Sequence, residues 1–356
     1  MLIKLQKIIF ILLLIFLPSQ LGLHFWPEGS YINGVRIDYF SPTIYFTDIL
    51  VFLLVILEGA RRPIGSIFER FYRPSGSRMT ITKKYLLICL VTGLLVLLNI
   101  YFSLSPFVSF YKWLKVLEFG FLVWWVYKNK TSLLTYLPTI LLVTIVYSCL
   151  LALWQYFNHG SVGGLWYLLG ERNFTFDTPG IAAGRPYATF PHPNVLIGFL
   201  LVASSLWLKD FPRISRKITV PLLLILASVC FLALSRGNLI TGWNLRQQLN
   251  SVAMKQWSNS PIIGTGLGTS PLYPRNISNF AMLHQPIHNI YLLILSETGI
   301  VGLGLFGLLI LKALRSKSII HNSLFIILAL GMFDHYWLTL QQTQLLFAIV
   351  LGIMWR

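Results

Sequence analysis

His288 and Asn289 form a polar pair directly before the apolar run 290–311. An imidazole titrates near neutral pH, so a histidine at the end of an apolar helix can accept a proton or bind an anionic headgroup. Because an α-helix turns about 100° per residue, we predict that Gly299 and Gly302 lie within about 40° of His288 on one stripe. Small residues on that stripe would let another helix pack closely. The alternative is a histidine that only caps the helix at a membrane interface.

Arginine and histidine side chains also collect in and beside two stretches between apolar segments, 158–191 and 236–287. A guanidinium group can donate two parallel hydrogen bonds to a phosphate or diphosphate. These stretches therefore predict a site for an anionic ligand. The candidate ligand contacts are Arg185, His192, Asn194, Arg236, Arg246 and His284.

Two turns near these residues have structural alternatives. Pro191 and Pro193 flank His192 and fix the backbone where a helix begins, so Asn194 could simply be the helix cap. The second turn, residues 261–268, contains three glycines whose backbone amides could hold a phosphate. It lacks the Lys-Ser/Thr pair of a P-loop and follows no predicted strand, so the glycines are weak support for a phosphate site.

The histidines do not show the spacing of a metal site. His284 and His288 are four residues apart, but Pro286 lies between them and argues against a shared helix. A zinc site also needs further ligands, and no carboxylate is adjacent. We therefore predict no metal and no cofactor.

The composition defines the class of protein that must position these residues. The chain has 356 residues, of which 56% are hydrophobic and 11% charged, as in a polytopic membrane protein. Apolar segments of about 17 to 25 residues predict bilayer crossings. We predict a single all-α membrane domain over residues 1–356. Its ten spans are 6–23, 43–58, 85–103, 111–127, 133–157, 192–208, 218–235, 288–311, 320–337 and 339–355.

The net charge of +17 orients this domain. With the amino terminus in the cytoplasm, most of the 28 lysines and arginines fall on the inner side, which is the positive-inside bias. Both termini are then cytoplasmic, and the stretches 158–191 and 236–287 are external. The basic residues indicate contact with anionic lipid, since no nucleic-acid motif accompanies them.

The two external stretches differ in character. The glycines and prolines of 158–191 predict an irregular loop on the membrane. In the other stretch, Leu245, Leu249 and Val252 recur at helical spacing and predict a short interfacial helix that carries Arg246 toward its ligand.

Four motifs occur in an order that resembles the O-antigen ligase and O-antigen polymerase superfamily over about residues 165–310. They are Thr189-Phe-Pro-His-Pro-Asn194, Ser235-Arg236-Gly237, Arg246 followed by Pro261-Ile-Ile-Gly-Thr-Gly266, and His288-Asn289 followed by Gly299 and Gly302. The resemblance implies a C-type glycosyltransferase bundle that works without a metal. It would transfer or polymerise a glycan from undecaprenyl diphosphate to a hydroxyl of a lipid or glycan acceptor, at the external or periplasmic face of the plasma (inner) membrane.

The resemblance also implies roles for individual residues. His288 would activate the acceptor hydroxyl, and Arg246 would hold the diphosphate as the second catalytic residue. Substrate contacts would come from Arg185, His192, Asn194, Arg236, His284 and Asn289. The chain departs from the family between Arg236 and Arg246, where relatives have a longer segment, usually with about two more spans, and a packing face of the bundle is then missing.

Two other functions stay open. A transporter of an anionic solute would carry ionisable residues at mid-membrane and repeated broken helices. The glutamates in or near predicted spans are Glu58, Glu118 and Glu297, and we find no internal repeat. A non-enzymatic scaffold of a polysaccharide assembly complex would be compatible with the shortened segment. The motifs do not distinguish a ligase from a polymerase.

Overall fold

The computed structural model describes residues 1–61, 90–177, 184–208, 216–234, 239–274, 284–316 and 320–355, and the chain is mostly helical. Each predicted span overlaps a helix. The helices are α1 (Leu2–Ile15), α2 (Phe46–Arg61), α3 (Leu90–Tyr101), α4 (Pro106–Leu133), α5 (Leu137–Asn158), α6 (Pro193–Trp207), α7 (Arg216–Leu234), α8 (Leu239–Asn259), α9 (Ile290–Leu314), α10 (His321–Gly331), α11 (Tyr336–Thr339) and α12 (Gln341–Met354). Short 3-10 turns occupy Glu28–Ser30, Asp38–Phe40, Gly164–Leu169 and Ser270–Leu272.

Helix α12 forms the centre of the bundle. It is apolar on all faces after its first turn, and nearly all of its residues are buried. A helix of this composition belongs in a core. It packs along α4, α6 and α10, while α1 packs against α2 and α5, and α8 packs against α9.

The glutamines at the start of α12 belong to a buried polar cluster. Gln341 Nε2 donates to the carboxylates of Asp48 and Glu118, the latter at 3.2 Å. Lys115 Nζ contacts the same two carboxylates. The cluster therefore links α2, α4 and α12, and it explains why polar residues begin an otherwise apolar helix.

The chain is mostly helical, consistent with the predicted all-α class, and one segment forms two small antiparallel sheets. Strand β1 (Gly22–His24) pairs with β4 (Thr43–Tyr45), and β2 (Tyr31–Ile32) pairs with β3 (Val35–Arg36). The predicted spans 6–23 and 43–58 are therefore too long at the ends that adjoin this segment, because those residues form strands instead.

The long loop between α5 and α6 is irregular, as predicted, and side chains fix its course. The Gln155 side chain donates to Glu171 and accepts hydrogen bonds from the amides of Tyr187 and Ala188. Glu171 in turn accepts from the amide of Gly163 at 2.8 Å. Residues 178–183 of this loop lie outside the described part.

Loops that are predicted to lie on one side of the membrane contact one another. Gln20, near the predicted outer end of the first span, donates from Nε2 to Thr189 O at 2.5 Å, and Leu104 N donates to Thr265 O at 2.9 Å between two predicted external segments. Lys130 Nζ donates to Trp355 O at 2.9 Å, joining predicted cytoplasmic segments. The helices thus run between two ends, each with its own set of connections.

Two helices among the described residues are long and apolar enough to cross a membrane by themselves, Leu137–Asn158 and Ile290–Leu314. Their lengths are 22 and 25 residues. The other apolar helices have only 10–17 residues. A count of ten spans therefore does not follow from helix length. The α8 helix is longer than the short helix expected, with 21 residues.

Candidate functional site

Asn289 fixes the position of His288. It is the N-cap of α9, and its side-chain oxygen accepts from Tyr291 N at 2.9 Å and Leu292 N at 3.1 Å. Its Nδ2 donates to Met332 O at 3.2 Å. Asn289 therefore holds His288 at the start of α9 and also ties the loop after α10 to it, so the atoms of its amide serve structure.

The loop after α10 brings Asp334 and His335 against His288. Asp334 Oδ1 lies 3.2 Å from His288 Nδ1 and 3.9 Å from His335 Nε2. The two imidazole rings meet edge to face, with centroids 4.7 Å apart. We call His288, Asp334 and His335 the His-Asp-His cluster.

The sequence analysis missed two of these three residues. The predicted span 320–337 is wrong beyond Gly331, where α10 ends, and the following turn leaves the helix axis. A carboxylate inside a membrane span is rare and costly, so Asp334 within an apolar run was a usable signal. Hydropathy averaged over the segment concealed it.

Arg246 joins the cluster through Asp334. Its Nη2 lies 3.7 Å from Asp334 Oδ2, and its side chain is 25% exposed. Arg246 Nε is buried without a hydrogen-bond partner among the described residues. A buried guanidinium donor normally has an acceptor, so this atom indicates a place for an anionic ligand.

The α8 helix holds Arg246 by its apolar face. Leu249, Val252 and Ala253 are buried, as their spacing predicted. Ala253 packs with Ile287 and Leu293, which flank the start of α9. Packing between α8 and α9 therefore brings the two predicted catalytic residues, Arg246 and His288, to opposite sides of Asp334.

Hydrogen bonds on the far side of each ring determine where the histidine protons lie. His288 Nε2 is 2.9 Å from Gln285 Oε1, which can only accept, so Nε2 carries the hydrogen and Nδ1 presents its lone pair in the neutral ring. His335 Nδ1 is 2.6 Å from Thr339 Oγ1, whose hydroxyl donates to His335 O. His335 Nε2 therefore presents a lone pair as well.

Burial and charge set the ionisation of the neighbouring groups. Burial lowers the pKa of His335 to about 3 and that of His192 to about 4, so both rings are neutral at pH 7. Burial alone would raise the pKa of Asp334, but His288 and His335 hold it below its ordinary value. The cluster thus contains one ionised carboxylate beside neutral His335.

His192 caps α6, which corrects the alternative that Asn194 is the cap. His192 Nδ1 accepts from Asn194 N at 3.1 Å, and the helix begins at Pro193. In the neutral ring His192 Nε2 then carries the hydrogen and is a donor. The charges of Asp334 and Arg246 both act on His192, which places it near the cluster.

Three candidates remain, Arg185, His284 and Arg236. Arg185 Nη1 donates to Ala233 O at 3.5 Å, at the end of α7. His284 lies before the cluster in sequence and is partly buried. Arg236 lies outside the described residues.

The predicted stripe of His288, Gly299 and Gly302 is wrong. His288 precedes the N-cap and is outside the helix, and Gly299 interrupts α9 with a φ of 68°. The interruption accommodates the 261–268 turn, since Ile300 N donates to Pro261 O at 2.9 Å. A Cβ at Gly299 would lie 2.1 Å from the Ile262 carbonyl oxygen, so only glycine fits.

The glycine turn is bound to a carboxylate of the chain itself. Gly268 N and Ser270 N donate to the two Glu297 carboxylate oxygens at 2.8 Å and 3.0 Å. Gly266 N donates to the Glu297 carbonyl at 3.0 Å. Glu297 therefore takes the position that a phosphate would need, and the turn is a packing element of α9.

A cavity of about 1320 Å³ adjoins the cluster. Its wall is mostly aliphatic and aromatic and comes from α3, α4, α9, α12 and the loops at one end. Tyr39 and Thr339 line it, and both contact His335, the tyrosine ring at 5.6 Å between centroids. Lys112 and Lys115 also line the cavity.

Comparison of the chain with protein-family models, curated proteins and solved structures finds no match. The resemblance to the O-antigen ligase superfamily therefore rests on the order and spacing of the motifs. The function has to be argued from the site itself.

Proposed function

We propose that the chain is a polytopic membrane glycosyltransferase that transfers or polymerises a glycan from undecaprenyl diphosphate onto an acceptor hydroxyl at the outer face of the plasma membrane. The observation that carries the proposal is the meeting of His288, Asp334 and Arg246. It combines an imidazole nitrogen, a carboxylate and a buried guanidinium donor without a partner among the described residues.

These groups fit the requirements of glycosyl transfer. The acceptor O–H bond breaks as its oxygen attacks the anomeric carbon, the bond from that carbon to the diphosphate breaks, and the proton passes to His288 Nδ1. Asp334 stabilises the imidazolium that forms. Arg246 stabilises the charge that grows on the leaving diphosphate, an interaction stronger in the transition state than in the ground state. The hydrogen on His192 Nε2 is a further donor.

The outer surface of the bundle supports a membrane location. Large apolar side chains lie more than half exposed on four helices: Phe52 on α2, Leu117 on α4, Phe231 on α7 and Leu308 on α9. Apolar surface of this extent is typical of a protein in contact with lipid. The contacts between loops of the same predicted side support ten spans with the His-Asp-His cluster at the outer end.

The cavity is suited to the lipid part of a substrate. Its apolar wall would bury a polyprenyl or acyl chain, and Tyr39 and Thr339 would place the headgroup near His335. The same cavity is the observation that favours the alternative, an anionic-solute transporter, because Lys112 and Lys115 face it. Against that alternative, Glu58 and Glu118 have partners that join helices, since Gln6 Nε2 donates to Glu58 at 3.0 Å.

A transfer assay with the purified chain tests the proposal. The donor is an undecaprenyl diphosphate oligosaccharide, and candidate acceptors are added one at a time. A single addition indicates a ligase and a ladder indicates a polymerase. His288→Gln removes the lone pair of Nδ1 but keeps a polar group, and we expect turnover to fall by about 10² to 10⁴ with donor binding retained.

Arg246→Lys tests the diphosphate contact. Lysine keeps the positive charge but cannot donate two parallel hydrogen bonds as a guanidinium does, so donor binding should weaken by about 1 to 3 kcal/mol. Lys255→Gln, on an exposed position of the same helix, is the control and should bind donor normally. Near-normal turnover in His288→Gln would exclude the base, and normal donor binding in Arg246→Lys would exclude the diphosphate contact.

Single-cysteine labelling tests the orientation once the three native cysteines are replaced. Asn33→Cys, on an exposed turn, should react with an impermeant reagent in intact cells. Lys128→Cys, exposed near the other end of the bundle, should react only after the membrane is opened. The reverse pattern would place the cluster on the cytoplasmic side and contradict the proposal.

A further inference from the structure

Three lone-pair atoms converge in the His-Asp-His cluster. His335 Nε2 presents its lone pair because Thr339 Oγ1 accepts the hydrogen of Nδ1. His288 Nδ1 presents its lone pair because Gln285 Oε1 accepts the hydrogen of Nε2. The third atom is a carboxylate oxygen of Asp334. In these tautomers the three acceptor atoms converge as the ligands of one cation do.

The contact between His288 and Asp334 fits this description. Nδ1 and Oδ1 are 3.2 Å apart, yet Nδ1 makes no aligned hydrogen bond to a described residue. The ring nitrogen and the oxygen therefore approach as two ligands of a shared ion would. Both histidines are buried, with 8% and 4% of their surface exposed, so water screens this arrangement poorly.

The separations match those of a small metal ion. Zinc binds histidine nitrogen and carboxylate oxygen at about 2.0 to 2.2 Å in a tetrahedron, which places neighbouring ligands about 3.3 Å apart. Here Asp334 Oδ1 is 3.2 Å and 3.9 Å from the two ring nitrogens, and all three ligand atoms lie within 4.8 Å of one another. Small side-chain rotations would complete the geometry.

We propose that His288, Asp334 and His335 form a binding site for one divalent transition metal ion, with Zn²⁺ the best match to the ligand set, and that the bound ion inhibits glycosyl transfer. Two neutral imidazoles and one carboxylate leave a fourth position for water, as zinc accepts. The sequence could not predict this site from His284 and His288, because two ligands come from the loop after α10.

The residues that hydrogen-bond the proposed ligands are of the kinds that support ligands in metal sites. Thr339 and Gln285 each bind the second nitrogen of a ligand histidine, which fixes the tautomer and the ring orientation. Arg246 contacts Oδ2 of Asp334, and Oδ1, which accepts from His335 N at 2.8 Å, has a second lone pair for the metal. The nearby guanidinium charge lowers the affinity for a cation, so the ion should be exchangeable.

The metal and the proton of the acceptor hydroxyl would bind the same atom, so metal binding should inhibit transfer; this step rests on the proposed function. The lone pair of His288 Nδ1 cannot bind a metal and accept the proton of an acceptor hydroxyl at the same time. The ion also neutralises Asp334, whose charge would stabilise the imidazolium. The metal would therefore act as a reversible blocker of the chemical step and leave the donor contact of Arg246 in place.

Metal binding can be measured without any transfer activity. The full chain, purified in detergent without a histidine tag and stripped with a chelator, is titrated with Zn²⁺ against a chromophoric chelator. We expect one ion per chain. Loss of a residue that hydrogen-bonds a metal ligand weakens metal binding by roughly 10- to 100-fold, and Thr339→Val should fall in this range. His335→Gln and Asp334→Asn each remove a ligand and should weaken zinc binding by at least as much. His321→Gln, near the other end of the bundle, is the control.

Cobalt gives a second readout on the unaltered chain. Co²⁺ bound by these three ligands and water should show the intense visible absorption of a tetrahedral site, and Zn²⁺ should displace it. Weak octahedral absorption, or equal zinc affinity in the parent and in His335→Gln, would overturn the site. Unfolding curves show whether the variants are folded. If they are not, the cobalt spectrum of the unaltered chain tests the metal site by itself.

The transfer assay completes the test. Zn²⁺ at saturation should abolish turnover, and a chelator should restore it, while donor binding is unchanged. Full activity with one zinc ion bound would overturn the inhibition. A chain that binds zinc but transfers no glycan to any acceptor would overturn the proposed function and the inhibition with it, while the metal site stands.

Discussion

Asp334→Asn is the most informative change, because Asp334 is the residue that connects the others. Its two oxygens contact different partners, Oδ1 with His288 at 3.2 Å and Oδ2 with Arg246 at 3.7 Å. Asparagine keeps the shape and removes the charge. The side chain is 13% exposed, so solvent replaces little of what is lost.

The expected magnitude follows from the distance. A unit charge 3.2 Å from the imidazolium of His288 contributes at most about 5 kcal/mol at an effective dielectric constant of about 20. The amide dipole of asparagine and the release of Arg246 from its ion pair recover part of this. We take about 3 kcal/mol as the net loss in the transition state, which lowers turnover by roughly 100-fold.

The assay is the same transfer reaction, with turnover and donor binding measured separately. Turnover should fall, while donor binding stays the same or tightens, because Arg246 loses its competing carboxylate. Asp177→Asn, on an exposed loop, is the matched control and should behave like the parent. Turnover of folded Asp334→Asn within about twofold of the parent would refute the catalytic role of the carboxylate.

Three further predictions concern stability, measured as the thermal unfolding midpoint in detergent. Gly299→Ala should lower the midpoint strongly, because its φ is 68° and the added Cβ meets backbone, whereas Gly304→Ala, with open space around it, should not. Lys115→Met should cost about 3 to 5 kcal/mol by leaving two largely buried carboxylates without a neighbouring positive charge, while exposed Lys128→Met should be nearly neutral. Glu297→Gln should cost about 2 to 3 kcal/mol by weakening two charge-assisted hydrogen bonds, and raised phosphate affinity instead would revive the phosphate interpretation of the turn.

Hydropathy predicted the positions of the helices well, because burial in lipid or in a core selects long apolar segments. Its errors lie at the ends. The segment after α1 forms strands, and the Asn33-Gly34 pair, with φ of 49° and 78°, turns the β2–β3 hairpin. An Asn-Gly pair is a recognised hairpin signal, so this error could have been avoided from the sequence.

The candidate site was predictable only in part. The resemblance selected His288 and Arg246, and the structure brings both to the same carboxylate. That carboxylate could not be assigned, since pairing residues so far apart in sequence requires knowing which helices pack. The predicted alignment of His288 and Gly299 on one helix face was wrong because a turn from another segment interrupts the helix. Local periodicity contains no information about such an insertion.

The energetic cost of the cluster argues for activity and against a scaffold. Burying a carboxylate and a guanidinium loses hydration that their mutual attraction only partly restores, and apolar residues of similar size would often stabilise the fold as well. A scaffold would have no need for this arrangement at one end of the bundle. The segment between Arg236 and Arg246 includes the start of α8 at Leu239, whereas the contacts that hold the cluster come from Arg246 and the later part of α8, from α9 and from the loop after α10. Additional spans of the kind found in the family that the motifs resemble would therefore be inserted next to α7 and the start of α8, and their absence would leave these contacts in place.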